Sequence, residues 1–279
     1  MAVDKNSVPE LVDPAWIAAR LDDPALRLIE IDVSAANYNG GHIPGALLWN
    51  AYADLRRPDY LPVADPELES LLRKSGIAAA TAVVFYGYGA HLGHWLLRAH
   101  DHRAVHLMDG PRERWTDAGH AWSLEQPQFE PSDYALVGRS ADAASKEEVR
   151  AMIESGGTVI DTRSKAEYDG ERFWPSAAPS AGRSGHVPGA IHVPIELLRG
   201  EDGSFRSVEE MLCVLRDRGV DPRMRVVTYC TIGNRAAQAW FAMRRLLGFE
   251  DVGVYYGSWT EWGTAADTPI EGPTAAWAS

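Results

Sequence analysis

One sequence unit occurs twice in this chain, so any fold it adopts must hold two copies of one scaffold. The first copy reads LIEIDVSAANYNGGHIPGALLWNA from Leu28 to Ala51. The second reads VIDTRSKAEYDG from Val159 and SGHVPGAIHVP from Ser184. Asp32 aligns with Asp161, and the run Gly41 to Ala46 with Gly185 to Ala190. The match continues through Ser75-Gly76-Ile77 and VVFYG, which parallel Arg218-Gly219-Val220 and VVTYC. It closes with Gly110 before Trp115 and Gly257 before Trp262. Order and spacing persist through each half, which identifies a tandem duplication.

Within each copy, short apolar runs alternate with helical patterns. LRLIEIDV, AVVFYGY, TVIDT, RVVTYC and VGVYYG are continuous rather than alternating, the pattern of strands covered on both faces. Asp13 before Pro14 reads as a helix N-cap with proline in the first turn. Ser145 with Glu148 and Ser207 with Glu210 read as capping boxes. In VEEMLCVLRDRG, Met211, Leu212 and Leu215 share one face, and Gly219 is placed to end the helix. The expected class is α/β: two tandem domains, each a mostly parallel sheet flanked by helices on both faces. The connector from Ala121 to Ser145 is rich in Pro, Ser, Asp and Ala, which places the domains at 10–122 and 145–279 with a linker over 123–144.

The formal net charge is -12, which argues against nucleic acid or an anionic membrane as a bulk partner but leaves room for a local basic pocket. Cys213 and Cys230 are the only cysteines of the chain, so there is no disulfide framework and the count suits a reducing compartment. The start, MAVDKNSVPELVDP, lacks a basic segment followed by an apolar run. The stretch Gly76 to Ala90 is too short to span a bilayer. A soluble, cytoplasmic protein is expected.

The repeat also isolates the chemistry. After VVFY the first copy has Gly87; after VVTY the second has Cys230. A cysteine at the C-terminal end of a buried parallel strand sits where ligands bind in open α/β sheets. It is followed by Thr231, Ile232, Gly233, Asn234 and Arg235 and then a helical pattern, AAQAWFAMRRLLG, ending at Gly248. Backbone N–H groups of such a loop can converge on one atom, and the helix N-terminus and Arg235 add positive potential. These features favour a nucleophilic sulfur at Cys230. Cys213, in the middle of an amphipathic helix, reads as a buried and inert cysteine.

The paired GHxPGA motifs, the ID and DTR strand ends, the lone cysteine of the second copy and the closing G-x4-W resemble tandem rhodanese domains, over nearly the whole chain after about residue 10. In that family the C-terminal domain is catalytic and the N-terminal copy has lost its cysteine, as at Gly87. The resemblance implies a sulfurtransferase. Cys230 would take a sulfane sulfur from a small anionic donor such as thiosulfate and pass the persulfide sulfur to a thiol, cyanide or a thioredoxin-like protein. The residues Thr231 to Arg235 would form the cradle. No metal or organic cofactor is implied. Alternatives are 3-mercaptopyruvate as donor and a sulfur-carrier or persulfide-sensing role; Thr231 and Ile232 match neither well-known donor pattern. The related dual-specificity phosphatases need Cys-x5-Arg, one residue more than Cys230 to Arg235, which disfavours phosphatase chemistry. The family's substrate arginine aligns with Ala166 to Tyr168, where this chain has Glu167, so Arg163, Arg172 and Arg183 become candidates beside Arg235.

The second copy carries an insertion, Gly170 to Ser184, read either as a flap bringing Phe173, Trp174 or Arg183 to the site or as packing between domains. His91, His94, His100, His102 and His106 are dense, but no cysteine or H-E-x-x-H spacing accompanies them, so no metal site is expected. His42 and His186 recur in both copies although the cysteine does not, which points to a structural role in the Pro-Gly turns. Asp32 and Asp161 recur likewise, and Trp115 and Trp262 read as core.

Overall fold

The computed structural model describes residues 9–138, 142–173 and 182–272. These form two compact units: one from 9–55 and 63–138, the other from 56–62, 142–173 and 182–272.

Each unit is built on a sheet of five parallel strands among the described residues. In the first unit these are β1 (Leu11–Val12), β2 (Leu26–Asp32), β3 (Ala46–Asn50), β4 (Ala82–Tyr86) and β5 (Val105–Met108), in the order β1-β5-β4-β2-β3. In the second they are β6 (Ala143–Ala144), β7 (Thr158–Asp161), β8 (Ile191–His192), β9 (Val226–Tyr229) and β10 (Val252–Tyr255), in the order β6-β10-β9-β7-β8. Strand by strand the two orders are the same, so the sequence repeat is a repeat of topology. All pairings are parallel, and the central strands β4 and β9 are buried almost throughout. That is why they read as unbroken apolar runs.

The helix signals hold. The Asp13 carboxylate accepts from Trp16 N at 2.7 Å at the head of helix Pro14–Ala18. Ser145 with Glu148 and Ser207 with Glu210 make reciprocal capping boxes. Gly219 takes φ +76 behind helix Val208–Arg216, the left-handed C-terminal stop. Two expectations are corrected. Cys213 is exposed, not buried: with Met211 and Leu215 facing inward, a residue two positions from each points to the opposite side of the helix. The helix after Cys230 runs regularly only over Asn234–Phe241 and then widens into a π-turn at Ala242–Leu246, where Leu247 N bonds Ala242 O.

The GHxPGA motifs do the same work twice. His42 Nδ1 bonds Tyr38 O at 2.9 Å and its ring stacks on Tyr38 at 3.8 Å. His186 Nδ1 bonds Tyr168 O at 2.9 Å and stacks on Tyr168 at 3.7 Å. Tyr38 and Tyr168 donate to Ala46 O and Ala190 O, and the strand-end tyrosines Tyr86 and Tyr229 accept from Ile43 N and Val187 N. The turn is thus tied to the strand whose end carries Gly87 or Cys230. Trp115 and Trp262 are core residues of their units.

Candidate active site

Cys230 follows β9 directly and precedes helix Asn234–Phe241, so it lies at the carboxyl end of the sheet, where a ligand meets strand ends and a helix N-terminus. Its sulfur accepts the Gly233 amide N–H at 3.0 Å. That bond requires the loop to double back within three residues, and Gly233 does so at φ +87. A Cβ there would stand 2.6 Å from the Tyr256 ring and 3.2 Å from Arg56 Nη2. Glycine is needed both for the left-handed backbone and for the space.

The loop is held from two sides. On one, Cys230 N donates to Ser258 Oγ at 3.2 Å, Trp259 N to Cys230 O at 3.0 Å, and Thr260 N to Thr231 O at 3.0 Å. Ser258, at φ +53, and its neighbours therefore clamp the backbone on which the sulfur sits. On the other side is Glu167, 2% exposed. Its carboxylate accepts from Thr231 Oγ1 at 2.6 Å, from both terminal nitrogens of Arg235 at 2.7 and 2.8 Å, and from Ser164 Oγ at 2.7 Å. Burial alone would raise the Glu167 pKa, but its bonds from Arg235, Thr231 and Ser164 hold it down to about 2. Burial likewise opposes the charge of Arg235, but the bonds to Glu167 and the fields of Cys230 and Glu167 raise its pKa above the ordinary arginine value.

The structure brings Cys230, Thr231, Ile232, Gly233, Asn234 and Arg235 into one buried turn, with Arg235 its most exposed member. The Thr231 hydroxyl is committed to Glu167 and Arg235. Arg163 is fully buried one layer away: its Nε and Nη2 grip the Asp161 carboxylate at 2.7 to 3.0 Å, its Nη2 also donates to Gly185 O, and it lies over Trp259. Tyr229 donates to the same carboxylate. Arg183 is held by the C-terminal segment, donating to Thr268 O and Oγ1 at 3.0 and 2.6 Å and to the Trp262, Gly263 and Ala265 carbonyls. Phe173 is buried in the core cluster with Trp259; Trp174 lies outside the described residues. Arg172, also weighed from the sequence, is exposed.

Three histidines of the dense stretch are held by hydrogen bonds to the fold. His100 bonds Val137 O, His102 bonds Tyr134 Oη and Thr81 O, and His106 bonds Pro9 O. Among the described residues, no three His, Cys, Asp or Glu side chains are placed to share a metal ion. No described helix is long and apolar enough to cross a membrane.

In the sequence Glu167 stands out only as a departure from a family pattern, and nothing there places Ser258 or Arg56 beside the loop. The S-x-x-E spacing of Ser164 and Glu167 was a usable signal for the first. Arg56 is distant in sequence from the cysteine and has no such mark.

A duplicated parallel sheet with a cysteine at one strand end and glycine at the other is the arrangement of the rhodanese fold, and the rhodanese-like domain family matches residues 13–118 and 145–265. The chain belongs to that family. It is 36% identical over 273 residues to a protein of Haloferax volcanii provisionally named a thiosulfate sulfurtransferase, covering 94% of this chain and 96% of the relative. It is 34% identical to the sulfur carrier protein TtuD of Thermus thermophilus, over 93% of this chain and 95% of the relative. Among solved structures it resembles an anaerobic ergothioneine biosynthesis enzyme of Chlorobium limicola, solved with trimethyl histidine. The TM-score is 0.84 at 25% identity, covering 95% of this chain and 71% of that one.

Proposed function

We propose that the chain is a sulfurtransferase that moves a sulfane sulfur from thiosulfate to a thiophilic acceptor through a persulfide on Cys230. The observation that carries this reading is the Gly233 N–H on the Cys230 sulfur at 3.0 Å, at the head of a helix, on a loop clamped from both sides. Such a preorganised donor stabilises negative charge on sulfur without reorganising as charge moves.

In the first step the Cys230 thiolate attacks the outer sulfur of thiosulfate. A new S–S bond forms, the old one breaks, and its electron pair leaves with sulfite. In the second step an acceptor nucleophile attacks the outer sulfur of the persulfide, and the electron pair of that S–S bond returns to Cys230. Cyanide would give thiocyanate, and a thiol or a thioredoxin-like protein would leave as its own persulfide. Neither step calls for a metal or an organic cofactor. Cys230 is only 1% exposed, which favours small donors. The four residues between Cys230 and Arg235 make a tight turn closed onto the sulfur, which favours sulfur over a tetrahedral phosphate.

The relative named a sulfur carrier protein supports a second reading with the same loading step but a dedicated acceptor. Thiocyanate formation from thiosulfate and cyanide, run beside 3-mercaptopyruvate, tests the proposal: thiosulfate turnover exceeding that with mercaptopyruvate is expected. The reverse preference transfers the reading to a mercaptopyruvate sulfurtransferase. Loading without discharge to cyanide or small thiols supports the carrier.

A further inference from the structure

We infer that Arg56 is the residue that binds the oxyanion end of the sulfur donor beside Cys230; the inference rests on the sulfurtransferase reading and assigns it a specificity-determining residue. Arg56 lies far from the cysteine in sequence, yet residues 56–62 pack as part of the second unit. A short antiparallel bridge from Arg56 to Pro62 and the bond Arg57 N to Leu61 O close this segment into a loop.

The side chain is 4% exposed. Its guanidinium lies over the Tyr256 ring at 4.0 Å, and Nη1 donates to Tyr256 O and Tyr60 O at 3.4 and 3.3 Å. Those contacts orient the group but occupy only one edge. Among the described residues, no acceptor meets Nε or Nη2. These two nitrogens form the side of the guanidinium whose parallel N–H groups grip an oxyanion in two-point fashion. A buried, half-unsatisfied cation is costly and calls for an explanation.

The unpartnered edge lies beside the Cys230 loop. Nη2 is 3.2 Å from where a Cβ of Gly233 would stand, and Gly233 is the residue whose amide meets the Cys230 sulfur. Arg235, the nearer cation in sequence, is already paired with Glu167 on two bonds. The ligand class that fits is a small oxyanion bearing a transferable sulfur, with its sulfonate on Arg56 and its outer sulfur toward Cys230.

The test compares the parent with Arg56→Gln and Arg56→Lys, all in a Cys213→Ser background so that Cys230 is the one thiol. The first readout is thiosulfate:cyanide kinetics. The second is alkylation of Cys230 by anionic iodoacetate and neutral iodoacetamide. Losing a charge-assisted two-point contact corresponds to about a 10- to 100-fold rise in the thiosulfate KM of Arg56→Gln, with little change in kcat. Arg56→Lys should fall between. The iodoacetate to iodoacetamide ratio should drop while the iodoacetamide rate holds. An unchanged KM and ratio overturn the inference, and so does an equal fall of both alkylation rates with a lowered Tm, which marks a structural support. If the parent does not turn over thiosulfate, the proposed donor fails, but the alkylation ratio still decides for or against Arg56.

Discussion

Glu167 and Arg235 meet as a two-bond ion pair, 2.7 and 2.8 Å, on one flank of the loop that carries the Cys230 sulfur. The same carboxylate takes the Thr231 hydroxyl. One buried anion therefore sets both the first side chain after Cys230 and the arginine that closes the turn. Breaking the pair from either side leaves the other charge buried. Glu167→Gln and Arg235→Ala should each destabilise the protein by roughly 3 kcal/mol and cut sulfur transfer by more than their stability loss accounts for. In the double variant Glu167→Gln/Arg235→Ala the two losses should be far from additive. Additive losses in thermal or denaturant unfolding would show that the pair is not coupled.

Gly233→Ala tests the loop itself. The substitution forces a Cβ to 2.6 Å from the Tyr256 ring at a left-handed φ of +87. Turnover should fall by about 100-fold or more, since a displaced amide donor alone costs on that scale. Stability should fall by only about 1–3 kcal/mol. Near-parent turnover would mean that the Gly233 amide is not part of the machinery.

Gly87 is more than a missing cysteine. Its backbone sits at φ +87, and a Cβ there would stand 3.0 Å from the Ile31 carbonyl oxygen. Gly87→Cys should therefore lower the Tm and add no reactive thiol at position 87. Labelling at position 87 at the rate of Cys230 would contradict this.

Acid should weaken the fold in two windows. His94 is fully buried, and burial, with the charge of Arg98 and the neighbouring His106, lowers its pKa from 6.5 to about 3. Below pH 6.5 the unfolded chain binds a proton that the folded one refuses, so stability falls with pH from there toward 3. His102 and His106 shift in the same direction. Glu167 is the carboxylate case: its pKa falls from 4.5 to about 2, so its stabilisation is present above 4.5 and is lost as pH drops toward 2. Denaturant unfolding between pH 7 and 5 should show a slope that His94→Leu reduces without abolishing. An identical slope in the variant would remove His94 from the explanation.

Much of the scaffold was legible because it was written twice. The strands, the helix caps at Asp13, Ser145 and Ser207 and the GHxPGA turns follow from local rules; the strands and turns recur at matching spacing, whereas the Ser207 cap has no counterpart at Ala64. Contacts that cross the sequence were harder to see. Asp161 is gripped by Arg163 and Tyr229; in the first unit the carboxylate gripped in this way is Glu30, held by Arg112, which also reaches Gly41 O. The aligned Asp32 instead caps local loop groups, Val33 N and Asn37. The strand registers correct the pairing of Asp32 with Asp161: Glu30 lies opposite Leu48 and Tyr86 as Asp161 lies opposite His192 and Tyr229, so carboxylate and glycine are equivalent in the two units and only the arginine comes from a different position. Cys213 was misread because a helix centre has an outside as well as an inside. Glu167, Ser258 and Arg56 reach the loop through tertiary folding, and no short motif links them to Cys230.

In the proposed reaction Cys230 carries the transferred sulfur. Intact-protein mass spectrometry after thiosulfate treatment, with Cys230→Ser and Cys213→Ser in parallel, tests it most directly. Sulfur transfer through Cys230 requires one added sulfur atom on the parent and on Cys213→Ser, none on Cys230→Ser, and loss of that mass on adding cyanide. A sulfur adduct that persists in Cys230→Ser, or none on the parent, would contradict it.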